Sequence, residues 1–264
     1  MTFTNELDEL YPAQTSQKII INHADMPNSK GVFFRAKQYE LVEQYYSARL
    51  FLGETQTEDW EHWFETDKPD AREYIKNWHI IRMFEAALLF YNIVVDLSWV
   101  LCYVCAEYVL HLDGDVINLD KMMNLEDAYD ALRKAEKEMH DPKNQFGYLK
   151  YMCPEFSGII DQIINFWSDF CCTDIRNLNN FIKHRGKPQY EELECSQGPK
   201  LIGLYIKDVK YPTDIRDVQK RISLRQAIED LVKLDNEKLF PYIKELFYQL
   251  EVIVKPSPLI LHPL

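Results

Sequence analysis

The residues best suited to chemistry lie in one short basic stretch in the second half of the chain. Residues 171–189 carry four basic side chains and one acidic one, a net charge of +3 in a chain whose formal net charge is −12. The polar and basic side chains recur at helical spacings. They are Arg176, Asn177, Asn180, Lys183, His184, Arg185 and Lys187. Positive charge concentrated against the global sign indicates a site that recognises phosphate.

A second polar feature lies in the most apolar part of the sequence. Between residues 80 and 112 the polar side chains fall at offsets of 0, 7, 11, 18 and 22, namely Glu85, Asn92, Asp96, Tyr103 and Glu107. At about 100° per residue, all five lie within about 60° of one another on a helix. Ionised carboxylates are costly to bury without partners. The seam therefore faces solvent, pairs at a helix crossing, or forms a polar cleft in which Asp96 and Glu107 meet the basic stretch.

Metal chemistry fits the sequence less well. Cys102 and Cys105 form one Cys-x-x-Cys pair without a second pair, inside an apolar stretch where cysteine acts as a small hydrophobe. A Mg²⁺-dependent all-α nucleotide pyrophosphatase needs converging acidic helices. Two pairs, Glu40 with Glu43 and Glu58 with Glu61, fit the first half of such a pattern, but the only Glu-x-x-Asp, Glu138 with Asp141, comes much later. We predict no metal site and no cofactor, with the pyrophosphatase as a remaining alternative.

The elements that must position these residues are mostly helices. The sequence predicts a helix over 33–52 and either one long helix or a pair of helices over about 71–112. Apolar periodicity predicts one uninterrupted helix over 155–185 that ends at Gly186 and Pro188. Residues 1–31 look irregular, and 190–211 read as a β-hairpin. Ser223 with Gln226 resembles a capping box, and Pro241 indicates the start of a last helix. We predict one all-α domain spanning 1–264, a multi-helix bundle with a small hairpin insertion.

Composition narrows the class of protein further. With 264 residues, 47% of them apolar, the chain can bury a large core without disulfides. Its acidic balance argues against coating nucleic acid through bulk charge. Asp96 and Glu107 interrupt the apolar stretch 86–112, which we interpret as a buried core helix rather than a membrane span. The N-terminus has no secretory pattern, and the six cysteines suggest reduced thiols, so we expect a cytoplasmic protein.

The stretch RNLNNFIKHRG, residues 176–186, resembles the signature of HEPN-like bacterial proteins of unassigned function. The HEPN superfamily (higher-eukaryote and prokaryote nucleotide-binding domains) is all-α and often dimeric. Many members are metal-independent endoribonucleases of defence and toxin systems, and others are non-catalytic. The resemblance implies a homodimer that cleaves RNA or binds RNA or nucleotides. The competing interpretation is a non-catalytic interaction or scaffold protein that keeps the bundle.

Carried over residue by residue, the resemblance implies a catalytic set of Arg176, Asn177 and His184. His184 would act as general base or acid, Arg176 would stabilise the charged transition state, and Asn177 would position the phosphate. Seven residues separate Arg176 from His184, where the family usually has four to six. On a straight helix the two would lie about 12 Å apart along the axis and about 80° apart around it. They converge only if the helix bends or if two copies meet.

Overall fold

The computed structural model describes residues 29–56, 69–110, 150, 154–193, 204–206, 209–211 and 220–253. Six α-helices dominate this part of the chain: α1 (Ser29–Glu54), α2 (Pro69–Leu110), α3 (Ser157–Cys171), α4 (Asp174–His184), α5 (Leu224–Leu234) and α6 (Phe240–Ile253). The short strands are β1 (Gln189–Tyr190), β2 (Leu204–Ile206), β3 (Val209–Tyr211) and β4 (Arg221–Ile222). The all-α prediction is therefore confirmed for the described residues. Most of the predicted irregular segment lies outside them, but residues 29–31 belong to α1.

The core forms where α1 packs along α2 and the later helices close over them. The buried face of α1 recurs at helical spacing and includes Phe34, Leu41, Tyr45, Ala48 and Leu52. The central part of α2 is buried on several sides, because α3, α4, α5 and α6 all contact it. This burial explains why the stretch is so apolar.

The predicted continuous helix over 155–185 is wrong. The chain leaves helical geometry at Thr173, which has φ −77° and ψ 151°. The Thr173 hydroxyl accepts a hydrogen bond from the Arg176 backbone N–H at 3.2 Å and donates one to the Phe170 carbonyl at 2.7 Å. These bonds end α3 and begin α4, which is how threonine competes with helix continuation. The apolar residues keep the same helical spacing before and after Thr173, so the sequence pattern does not show the break.

The predicted hairpin over 190–211 is wrong at its first strand. β2 and β3 form an antiparallel hairpin, with Leu204 opposite Tyr211. β1 instead pairs in parallel with β4, with Tyr190 opposite Ile222. Tyr190 is buried, and its hydroxyl donates to Glu85 of α2 at 3.0 Å. This anchoring holds the chain after α4 against the core, next to the start of α5.

Residues 224–253 are helical throughout, with a π-helical segment at Asp235–Leu239 between α5 and α6. The Phe240 N–H donates to the carbonyl of Asp235, five residues earlier. Pro241 follows at once and has no N–H to donate. The predicted helix start near Pro241 therefore corresponds to a change of helix type and not to a new chain direction from a loop.

Candidate functional site

The candidate site is built on α4, a short amphipathic helix with a defined start and end. Thr173 caps its first turn, and Ile175 and Leu178 bury its apolar face. At the other end the Arg185 N–H donates to the Phe181 carbonyl at 2.8 Å, and Gly186 takes a φ of 108°. A positive φ after the last turn is a common helix stop that favours glycine. The predicted stop at Gly186 is thus confirmed.

Arg176 reaches from α4 to the polar seam of α2. Its Nη1 donates to Asn92 Oδ1 at 2.8 Å and lies 3.7 Å from Asp96 Oδ1. Its guanidinium carbon lies 5.8 Å from the centroid of the Phe170 ring. The arginine is thus fixed by a neutral hydrogen bond and an aromatic face, while its ion pair with Asp96 is long. A charge-assisted hydrogen bond would be shorter, about 2.7–2.9 Å.

The seam itself is divided between two sets of contacts. Asn92 is fully buried, and Asp96 is half-exposed beside Arg176. Glu85 pairs with Arg82 and accepts from Tyr190. The side chain of Glu107 lies outside the described part of the structure. Arg176 of the basic stretch therefore meets the seam at Asn92 and Asp96, a contact that fits the predicted helix crossing as well as the predicted polar cleft.

Burial raises the pKa values of two groups near Arg176, the Asp96 carboxyl and the Cys171 thiol. Desolvation raises the pKa of Asp96, although the charges of Arg176 and Lys183 oppose the rise. Desolvation also raises the pKa of the Cys171 thiol, and the charge of Arg176 again opposes the rise. The cations near Asp96 do not compensate for the water that its carboxylate has lost.

The remaining candidate side chains of α4 point outward. Asn177, Asn180, Lys183, His184, Arg185 and Lys187 are all exposed. Arg176 lies in the first turn, held on α2, and His184 is the last residue of the same helix. With eight steps between them, about 12 Å along the axis, a single chain does not bring the two together. The implied catalytic set is therefore not assembled within one copy.

A buried charged cluster that the sequence did not reveal lies at the π-helical segment. Asp235 accepts from Tyr45 at 2.6 Å and from Tyr91 at 2.9 Å. Arg49 Nε lies 2.8 Å from Asp235 Oδ2. Arg49 Nη2 donates to the Tyr45 hydroxyl at 2.8 Å. Helical spacing from Tyr45 to Arg49 was visible in the sequence, but nothing there linked either residue to Asp235.

An open cavity of about 250 Å³ lies between the α3–α4 break and the π-helical segment. It is lined by Phe166, Asp169, Phe170, Thr173, Leu234 and Lys238. Pockets that enclose small ligands usually measure about 300–1,000 Å³. At about 250 Å³ this cavity is smaller than such pockets.

The described residues include acidic side chains that could bind metal and one long apolar helix. Among the described residues, no group of three or more His, Cys, Asp or Glu side chains could hold a metal ion. Glu40 and Glu43 lie on α1, where Glu40 pairs with Lys37. The pairs Glu58 with Glu61 and Glu138 with Asp141 lie outside the described ranges. One helical stretch, Ala71–Cys105, is long and apolar enough to cross a membrane, but 67% of its most apolar window is buried inside the protein. That burial fits a core helix.

Comparison with known proteins assigns no relative. No family model, curated protein or solved structure matches the chain. The class that the fold and the site define is a mostly helical protein with a basic helix end on an acidic molecule.

Proposed function

We propose that this chain is a HEPN-like helical-bundle protein that binds RNA or a nucleotide through the basic end of α4. The basic end comprises Lys183, His184, Arg185 and Lys187. The observation that carries the proposal is that all four side chains are exposed and that no described carboxylate forms an ion pair with any of them. Unpaired cations on an acidic protein attract phosphates locally.

The neighbouring residues support the same role. Asn177 and Asn180 are exposed on the same helix and offer amide donors that suit phosphate or ribose oxygens. Gly186 turns the chain so that Arg185 and Lys187 flank the last helical turn. The negative end of the helix dipole lies here, but its half charge is smaller than that of the three cations Lys183, Arg185 and Lys187.

Binding without cleavage suits the geometry of one chain better than catalysis does. Metal-independent cleavage needs Arg176 and His184 at the same phosphate. Arg176 is anchored on Asn92 and Asp96, and His184 lies at the opposite end of α4. A homodimer in which two copies share a site would be required for the endoribonuclease expected from the resemblance.

The proposal is tested by fluorescence anisotropy with a labelled single-stranded RNA oligonucleotide across a salt series. The variant carries Lys183→Ala, Arg185→Ala and Lys187→Ala. For single strands, the slope of log K against log salt changes by about 0.7 per phosphate contact. We therefore expect weaker binding and a slope smaller by about 2 for the variant.

The matched control removes three exposed lysines elsewhere, Lys76→Ala, Lys233→Ala and Lys244→Ala. It changes the net charge equally, so it is expected to keep most of the affinity of the wild-type protein. Equal losses of RNA affinity in both triple variants would mean that net charge alone explains the binding, which would overturn the proposal. Absence of RNA and nucleotide binding in the wild type would favour the scaffold interpretation.

A further inference from the structure

Asp96 is a carboxylate that lies beside α4, the helix that we propose binds phosphate. This is an unusual position for a negative charge. Its Oδ1 lies 3.7 Å from Arg176 Nη1, beyond hydrogen-bond distance. The side chain of Asp96 is 44% exposed and that of Arg176 is 18% exposed. The carboxylate of Asp96 is therefore more accessible to solvent than the guanidinium beside it.

The guanidinium of Arg176 is only partly used. Its Nη1 is held by Asn92 Oδ1, while Nε and Nη2 make no hydrogen bond with the residues that the structure describes. Asn180 and Lys183 follow Arg176 by four and seven residues, within about 60° of it around the helix. Together the three side chains offer one face of α4 to an anion.

We propose that Asp96 is an internal competitor that occupies the cationic face of Arg176, Asn180 and Lys183 and is displaced by a phosphate group of the bound RNA. The inference rests on the proposed function and adds its regulation. The affinity for RNA depends on how readily Asp96 is displaced from the cationic face. The long contact with Arg176 and the exposure of the carboxylate make that displacement inexpensive. Asn92 keeps the guanidinium in place when the carboxylate leaves.

The experiment measures RNA affinity for Asp96→Asn, with Asp96→Ser as a second substitution that removes the charge. Removing a unit charge a few ångströms from a bound phosphate is expected to tighten binding by roughly five- to tenfold at low salt. The control Glu237→Gln removes an exposed carboxylate on the π-helical segment and is expected to change affinity by less than about twofold. Both are read with the same labelled RNA.

A double variant, Asp96→Asn with Arg176→Ala, separates competition from a general charge effect. If Asp96 competes for Arg176, most of the gain disappears in this background. RNA binding that is lost in the basic-end triple variant but is unchanged or weaker in Asp96→Asn would overturn this inference alone. Absence of RNA binding in wild type and Asp96→Asn would overturn this inference, and absence of nucleotide binding as well would overturn the proposed function with it.

Discussion

Arg49 Nε lies 2.8 Å from Asp235 Oδ2, and both side chains are buried, with 5% and 1% exposure. The pair joins α1 to the π-helical segment, and the hydroxyls of Tyr45 and Tyr91 complete the hydrogen bonding of the carboxylate. A buried charge is tolerated only when its partners are present. The contact therefore links the first described helix to the C-terminal helices at a point where the backbone departs from α-helical geometry.

Asp235→Asn is expected to destabilise the protein strongly. The substitution keeps the shape of the side chain but removes the negative charge that faces the buried guanidinium of Arg49. Removing one partner of a buried pair costs about 3–5 kcal/mol. Urea unfolding followed by circular dichroism measures the loss. Glu229→Gln, on an exposed pair with Arg225, should change stability by less than about 0.5 kcal/mol. Similar values for the two variants would contradict the assigned role of the buried pair.

Glu192→Ala is expected to loosen the start of α5. The Glu192 carboxylate accepts from the backbone N–H groups of Leu224 at 3.0 Å and Arg225 at 3.1 Å. Ser223 also accepts from the Gln226 N–H at 3.3 Å, which is half of the predicted capping box. Loss of such a cap costs about 0.5–2 kcal/mol. Thermal unfolding should show this loss for Glu192→Ala and almost none for the exposed neighbour Glu191→Ala. An equal effect of both substitutions would exclude capping by Glu192.

The stability contributed by Asp96 should depend on pH in a defined direction. Because burial raises its pKa above the usual 3.8, the folded chain keeps a proton that the unfolded chain has already released. Stability from this group therefore falls as pH rises through that window and is lowest above the folded pKa. Asp96→Asn removes the dependence, so its stability relative to wild type should increase from about pH 4 to about pH 7. Urea midpoints at several pH values measure the difference, and a difference that is constant or decreases would refute the assignment.

Two glycine substitutions should act in opposite directions. A Cβ at Gly186 or Gly158 would meet no atom within 4 Å, so only the backbone distinguishes them. Gly186 has a φ of 108°, which strains any residue with a side chain. Gly158 lies within α3, where alanine is favoured by about 0.5–1 kcal/mol. We expect Gly186→Ala to lower the unfolding midpoint and Gly158→Ala to raise it. Two shifts of the same sign would contradict this explanation.

The sequence predicted the helices better than it predicted their junctions. The apolar periodicity of α3 and α4 is strong because one face of each is buried, and such faces are visible in a single sequence. The helix α2 is recognisable instead by its long apolar stretch, because several helices surround it. The break at Thr173 was missed because the stripe continues across it, although Thr-Asp is a typical helix start. The pairing of β1 with β4 joins residues far apart in sequence, and two-residue strands carry almost no pattern.

Part of the candidate site could be predicted from the sequence, and part of it could not. The exposed residues of α4 follow from helical spacing, and the meeting of Arg176 with Asp96 was one of the pairings that the charges allowed. The anchoring of Arg176 on Asn92 and Phe170 depends on how α3 and α4 pack on α2, which the spacing does not encode. The Asp235 cluster depends on three helices at once and has no local signal.

The most direct test of the central claim is lysine acetylation footprinting with and without a single-stranded RNA oligonucleotide, read by mass spectrometry. Lys183 and Lys187 should become protected when RNA is bound, because their ammonium groups contact phosphate. Lys233 and Lys244 are exposed on α5 and α6 and should react equally in both conditions. Protection confined to Lys233, Lys244 or other sites, with Lys183 and Lys187 unchanged at saturating RNA, would contradict RNA binding at the basic end of α4.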